Sequence, residues 1–249
     1  MIDLKRSGGY EAEYIACDCF WGLEPGSYVR RLVGLVPSFA RLRVLDAGCG
    51  EGKNAAFLAK MGGDVIGVEI SARALQHARN VHADSVVKWI CEDVRNGVWP
   101  DQYFDIVIAY GLFHCLSSRQ EIETLQARFS NATKVGGYHV ICSFNDRDQD
   151  LSAHPGFAPC LLSHDTYLHL YQGWTIEAKS DETLYEVHPH NMIPHHHSLT
   201  RLIARKPHGS WLSRRTSAPL RTRASSTVCR GRSLDVGQLD GSGSFEDRS

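Results

Sequence analysis

The sequence has no uninterrupted apolar run near the ~20 residues a membrane helix requires, and Met1 to Tyr10 carries no apolar block of the signal-peptide kind. A membrane-spanning chain is therefore not expected, and the cytoplasm is the default location. Charge of one sign is also missing, since 27 Lys and Arg stand against 28 Asp and Glu, a formal net charge of -1. Without a basic excess there is no global electrostatic reason to expect nucleic acid or an anionic membrane as partner, and a small-molecule substrate fits better. Disulfide and metal-knuckle spacings are absent as well. The eight cysteines are scattered, and Cys91 and Cys142 fall inside apolar runs where a thiol behaves as a small hydrophobe. Cys17 and Cys19 have a single residue between them, which is neither redox-motif nor zinc spacing. There is no internal repeat.

What is present suffices for one large α/β domain with a buried core: 249 residues, 43% of them apolar. From Leu42 to Cys142 short apolar runs alternate with helix-like stretches, the pattern of strands crossing over through helices into a parallel sheet. Strands are expected at Arg43 to Asp46, Asp64 to Glu69, Val86 to Cys91, Phe104 to Tyr110 and Tyr138 to Phe144. Helices are expected at Gly52 to Met61, from the N-cap Ser71 to about His82, and at Ser118 to Ser130. Two later β-like runs, Trp174 to Lys179 and Ser198 to Arg205, are candidates for an antiparallel edge. Beyond Pro207 the composition turns to Ser, Arg and Gly with little apolar periodicity. Residues 1–207 are therefore read as the folded domain and 208–249 as a disordered tail.

A strand ending in Asp46, followed by Gly48, Gly50 and Gly52 and then a helix, builds a tight turn whose bare backbone lets a ligand approach the helix N-terminus. Two glycine-rich templates fail here. A dinucleotide fold wants its third glycine three residues after the second, where Lys53 stands; a phosphate-binding P-loop wants Ser or Thr after Gly-Lys, where Asn54 stands. Glu69 closes the second strand at the place where a carboxylate can accept both hydroxyls of a ribose. Asp93, after the third strand, is placed to accept from an adenine amino group, with helix capping as the alternative.

Through Val44-Leu45-Asp46-Ala47-Gly48-Cys49-Gly50-Glu51-Gly52, Val65-Ile66-Gly67-Val68-Glu69, Glu92-Asp93-Val94 and Phe104-Asp105-Ile106-Val107, the chain resembles the class I methyltransferases that use S-adenosylmethionine (SAM). The resemblance implies a Rossmann-like, doubly wound sheet of seven strands, mostly parallel with an antiparallel last strand. It implies that Asp46 and the turn Gly48, Cys49 and Gly50 hold the methionine end of SAM. Glu69 and the adjoining Ile70 would hold the ribose, Asp93 and Val94 the adenine, and Tyr110-Gly111 would line the floor near the sulfonium. Phe20-Trp21-Gly22-Leu23-Glu24-Pro25 and the ending Leu202-Ile203-Ala204-Arg205-Lys206 are similar to the tellurite-resistance branch of that family. That likeness implies an aromatic lid of Tyr14 and Trp21, because aromatic faces attract a sulfonium cation; packing of Trp21 on the sheet is the alternative.

Methyl transfer from SAM needs no nucleophilic residue, only alignment and exclusion of water, with a base where the acceptor is an amine or hydroxyl and none where it is a thiolate or an anionic chalcogen. His114, just after the fourth strand, is one candidate base, because the carboxyl ends of parallel strands form the crevice. His195 and His197 are the others. Three adjacent histidines in a strand cannot all point one way, so at most His195 and His197 share a face, with His188 facing them across a hairpin. A metal site needs three or four convergent ligands; none is expected, and the histidine-rich segment reads as a polar pocket rim. Two other functions stand beside a small-molecule methyltransferase: a SAM-binding protein without catalysis and a nicotinamide oxidoreductase, the latter disfavoured by Lys53. Nucleic-acid methylation lacks a basic stripe and an Asn-Pro-Pro-Tyr type motif, for Tyr110-Gly111-Leu112-Phe113 follows the fourth strand.

Overall fold

The computed structural model describes residues 10–208; the proposed tail, residues 208–249, lies outside the described residues apart from its first. Strand periodicity organises the core. Along β1 (Arg43–Ala47) and β4 (Phe104–Tyr110), Val44, Ile106 and Ile108 point to one face while Leu45 and Val107 point to the other, and all five are fully buried. A strand buried on both faces must have helices on both. On the first face lie α2 (Ser27–Leu32) and α3 (Lys53–Lys60), which contribute Val29, Leu32, Ala55 and Leu58. On the second lie α5 (Arg119–Ala132) and α6 (His164–His169), which contribute Ile122, Leu125, Phe129 and Tyr167.

The remaining strands are β2 (Asp64–Glu69), β3 (Lys88–Cys91), β5 (Thr133–Gln149), β6 (Thr175–Val187) and β7 (Pro194–Arg205). The sheet has seven strands in the order β3-β2-β1-β4-β5-β7-β6. Strands β1 to β5 run parallel, and β7 is antiparallel to both of its neighbours. The chain thus leaves β1 toward β2 and β3 on one side and returns to β4 on the other. That reversal opens a crevice at the carboxyl ends of β1 and β4, the ordinary ligand position of an open α/β sheet.

Helix starts follow the sequence. Ser71 Oγ accepts from Ala74 N ahead of α4 (Ala72–Val81), and Ser118 Oγ accepts from Glu121 N ahead of α5. The late strands are longer than their apolar runs. β5 continues past Phe144 to Gln149, and β6 and β7 extend as a hairpin in which Glu186 lies opposite His195 and Leu184 opposite His197. Here polar residues alternate with the period of a strand and bury one face, so tertiary packing extends what hydropathy alone would have ended. A short helix, α1 (Glu11–Ala16), precedes these elements. No helix among the described residues is long and apolar enough to cross a membrane.

Candidate functional site

The turn after β1 wraps onto β2, with Gly48 N and Cys49 N both donating to Val68 O at 2.8 and 3.0 Å. Gly50 and Gly52 hold φ of +52° and +82°, a region costly to any residue with a Cβ. Space closes the same positions: a Cβ on Gly50 would lie 3.1 Å from Tyr14 Oη, and one on Gly52 would lie 2.3 Å from the Trp89 ring. Glu69, buried at the end of β2, accepts Gly50 N on Oε2 at 3.0 Å and Ser71 N on Oε1 at 2.9 Å. Each oxygen retains a lone pair, and the residue lines the crevice. Burial raises its carboxyl above the ordinary range against the pull of those N–H groups. Asp46 is more deeply enclosed. Its Oδ2 has no hydrogen-bond partner, and burial pushes its carboxyl up to about 7.

These residues border a cavity of about 430 Å3 that also takes in Tyr14, Trp21, Gly48, Cys49, Ile70, Asp93, Val94, Tyr110, Gly111 and His114. The structure therefore brings together every candidate contact of the cofactor end except Asp46, which stands just behind the turn. Asp93 is held by Arg95, whose Nε and Nη2 donate to it at 2.7 to 3.0 Å. Trp21 is fixed above the turn: its Nε1 donates to Tyr14 Oη at 3.0 Å, its backbone N donates to Glu51 Oε2 at 3.0 Å, and its carbonyl accepts from Lys53 Nζ at 2.7 Å. Lys53, in the slot where a dinucleotide fold has its third glycine, thus ties the N-terminal segment to the turn.

The histidines separate into two groups. His114 is buried beneath the cavity, stacked on Phe144 at 4.0 Å between ring centroids. Its Nδ1 accepts from Phe144 N at 3.2 Å, which leaves the proton on Nε2, 3.4 Å from Tyr10 Oη. Burial, followed by the neighbouring His197 and His154, lowers its pKa to about 3. His195 and His197 share the buried face of β7, while His196 points the other way to Asp148 Oδ2 at 2.9 Å. Neither His195 nor His197 lines the cavity; they meet His188 and His154 behind Glu186, which does line it. Sequence reasoning missed His154, Glu186, Tyr10 and Arg201. His154 sits in the segment between β5 and α6, and no spacing ties it to residues about forty positions away.

Comparison with known proteins agrees with this architecture. Residues 44–137 match the family model described as a methyltransferase domain. An uncharacterized methyltransferase of Mycobacterium tuberculosis is 30% identical over 101 residues, covering 41% of this chain and 50% of that protein. The chain thus spans about half the length of the curated relatives it matches. Among solved structures, one concerned with conversion of a disulfide bond into a thioacetal group during echinomycin biosynthesis superposes with a TM-score of 0.63 at 22% identity, over 82% of this chain and 94% of that one. TehB from Haemophilus influenzae gives 0.61 at 16% identity, over 81% and 67% of the two chains. Residues 44–137 therefore match a methyltransferase domain, and the seven-stranded sheet that contains them has the fold of these solved methyltransferase-like structures.

Proposed function

We propose that this protein is a SAM-dependent methyltransferase acting on a small acceptor. The observation that carries the reading is Glu69: a buried carboxylate, oriented by two backbone N–H groups, facing the crevice at the point where the strand order reverses. A diol is the natural partner of its remaining lone pairs. The rest of the cavity fits SAM as well. Asp46, with an unpartnered Oδ2 behind the glycine turn, is the counter-charge for an ammonium; Gly48, Cys49 and Gly50 offer bare backbone to the methionine end. Ile70, Asp93 and Val94 border the adenine end, and Tyr14 and Trp21 cap the space where a sulfonium would lie. SAM, when bound, supplies a methyl group already activated by its sulfonium; the protein aligns the acceptor and keeps water out.

The acceptor end is bordered by Tyr110, Gly111, His114, Cys142, Phe144 and Arg201. His114 presents an N–H there and resists protonation, so it acts as a donor that positions the acceptor rather than as a base. Arg201 donates to Glu182 Oε2 at 2.9 Å through Nη1, and its buried Nε has no partner. A guanidinium with a donor to spare favours an anionic acceptor, a thiolate or chalcogen oxyanion, over an amine or hydroxyl that would need a base. The tellurite-resistance likeness points the same way without fixing the substrate. The described cysteines are all free thiols, in keeping with a reducing compartment such as the cytoplasm.

Calorimetric titration of the full chain with SAM, and separately with NADH, tests the proposal alongside Glu69→Ala. SAM binding that Glu69→Ala abolishes, followed by methylation of a thiol or chalcogen oxyanion, is the expected result. NADH binding without SAM binding would overturn it. SAM binding with no turnover on any acceptor class would leave a SAM-binding protein without catalysis.

A further inference from the structure

Behind the acceptor end of the cavity, donor atoms converge without a hydrogen to share. His195 Nδ1 lies 2.9 Å from Ile193 O, an atom that can only accept, so the ring proton is on Nδ1 and Nε2 is a bare lone pair. His197 Nδ1 likewise donates to Gln149 Oε1 at 2.9 Å. The orientation of that amide is set by its own Nε2, which donates to Asn145 O and Ser198 O at 2.7 and 2.9 Å. Both bare Nε2 atoms then face Glu186 Oε1, at 3.7 Å from His195 and 3.6 Å from His197, and His188 Nε2 lies 3.9 Å from the same oxygen. His154 Nε2 stands 3.2 Å from His195 Nε2. The Nε2 atoms of His188 and His197 have no partner at all.

This is an arrangement of acceptors pointed at one another, and lone pairs gathered in a buried place repel unless a cation sits among them. Tetrahedral ligands around zinc, at 2.0–2.1 Å from the ion, lie about 3.3 Å apart; the observed separations of 3.2 to 3.9 Å need only a slight contraction. The supporting contacts are those of a metal centre too, because ligand histidines ordinarily donate their second nitrogen to a carbonyl or carboxylate. Ile193 O and Gln149 Oε1 do that here. Donor atoms of His154, His188 and His195 fall within 4.8 Å of one another, as do those of Glu186, His195 and His197.

We propose that His154, His188 and His195, with Glu186 and His197 adjoining, form a binding site for a first-row divalent transition metal such as Zn2+. Imidazole with one carboxylate suits Zn2+, Fe2+, Co2+ or Ni2+ and disfavours Mg2+ and Ca2+, which take oxygen ligands. The imidazoles are ready for it: burial and their mutual proximity hold His188 and His197 at about 3 and His154 at about 4, so each is neutral and lone-pair-bearing at neutral pH. A sequence-level objection, that adjacent histidines cannot converge, fails because β7 supplies only His195 and His197 from the run, and the other ligands come from the β6 strand, the loop after it, and the segment after β5. The site is separate from the cofactor end. Through Glu186 it opens on the cavity, so, on the methyl-transfer reading, a bound ion would lie against the acceptor and lower the pKa of a thiol or hydroxyl there.

The test uses the full chain purified without a polyhistidine tag, stripped with a chelator and titrated with Co2+ while the visible absorption is recorded. One Co2+ per chain, with the strong d–d bands of four- or five-coordination and displacement by Zn2+, is expected. His195→Gln should weaken Co2+ binding at least about 100-fold, and Gln149→Ala, which removes only an outer hydrogen bond, about 10- to 100-fold. His154→Gln provides a second ligand variant, on a loop rather than in the sheet, should His195→Gln unfold. Absence of saturable Co2+ absorption, or a titration unchanged in folded His195→Gln and His154→Gln, overturns the site. SAM calorimetry on the same stripped protein keeps the two proposals apart: Co2+ bound without SAM removes methyl transfer alone, and SAM bound without Co2+ removes the metal site alone.

Discussion

At the scale of single residues, the ionisation of Asp46 is the most informative. Its carboxyl titrates near 7 when folded against an ordinary 3.8. Between those values the folded chain keeps a proton that the unfolded chain releases, so the free protein loses stability as pH rises from about 4 to about 7, and stays at the lower level above it. Asp46→Asn should therefore stabilise the free protein at pH 8 by on the order of 3 kcal/mol, measured by urea unfolding. It should at the same time weaken SAM binding, since the ionised carboxylate is the proposed partner of the ammonium. Binding to the natural sequence should release a proton below pH 7 and tighten as pH climbs from 5.5 to 7. Calorimetry in two buffers of different ionisation enthalpy reads the proton directly, and a pH-independent affinity in the natural sequence would remove Asp46 from the site.

Gly50 argues from space rather than charge. Its φ of +52° and the nearness of Tyr14 Oη together predict that Gly50→Ala loses about 1–2 kcal/mol of stability from backbone strain. The variant should also lose most SAM affinity as the aromatic cap is pushed away. Urea midpoints and SAM titration check the two parts independently. Glu69, Asp46 and the glycines were legible in the sequence because strand, turn and helix follow one another without a gap, and local order fixes where their side chains and backbone go. The roles of His114 and His154 were not. His114 stands where a catalytic base could be, yet its proton position is decided by the backbone N–H of Phe144 on another strand.

At the scale of elements, legibility tracked the source of the stabilisation. β1, β2 and β4 are continuous apolar runs, and α4 and α5 begin on Ser caps, so propensity and burial agree. The β6–β7 hairpin is different: His195, His197 and Ser198 are buried polar residues, and only their cross-strand partners make them strand. The same distinction governs mutations. Ser118→Ala removes one cap hydrogen bond at an exposed helix start and should cost about 1 kcal/mol. Leu45→Ala leaves a cavity in a fully buried site between sheet and helices and should cost about 2–5 kcal/mol. Equal losses in chemical denaturation would show that α5 is held by its cap and not by the apolar face carrying Ile122, Leu125 and Phe129.

At the scale of the molecule, the strand order makes a crevice and the N-terminal segment covers it. Tyr10, Tyr14, Phe20 and Trp21 form an aromatic group that meets the sheet only through the glycine turn, Lys53 and the histidines. Few contacts anchor that cap in the free protein, so a ligand beneath it should bear much of the ordering. SAM at 100 times its dissociation constant should stabilise the fold by about 2.7 kcal/mol if it binds only the native state. For a folded unit of this size that is about 5–11 °C in Tm. Trp21→Ala should leave the Tm of the free protein within a few degrees while shrinking the SAM-induced rise at fixed SAM concentration. Glu69→Ala should abolish the rise. A full rise in Trp21→Ala would mean that the indole only packs the N-terminal segment onto the domain, and that the sulfonium is enclosed by Tyr14 and the sheet alone.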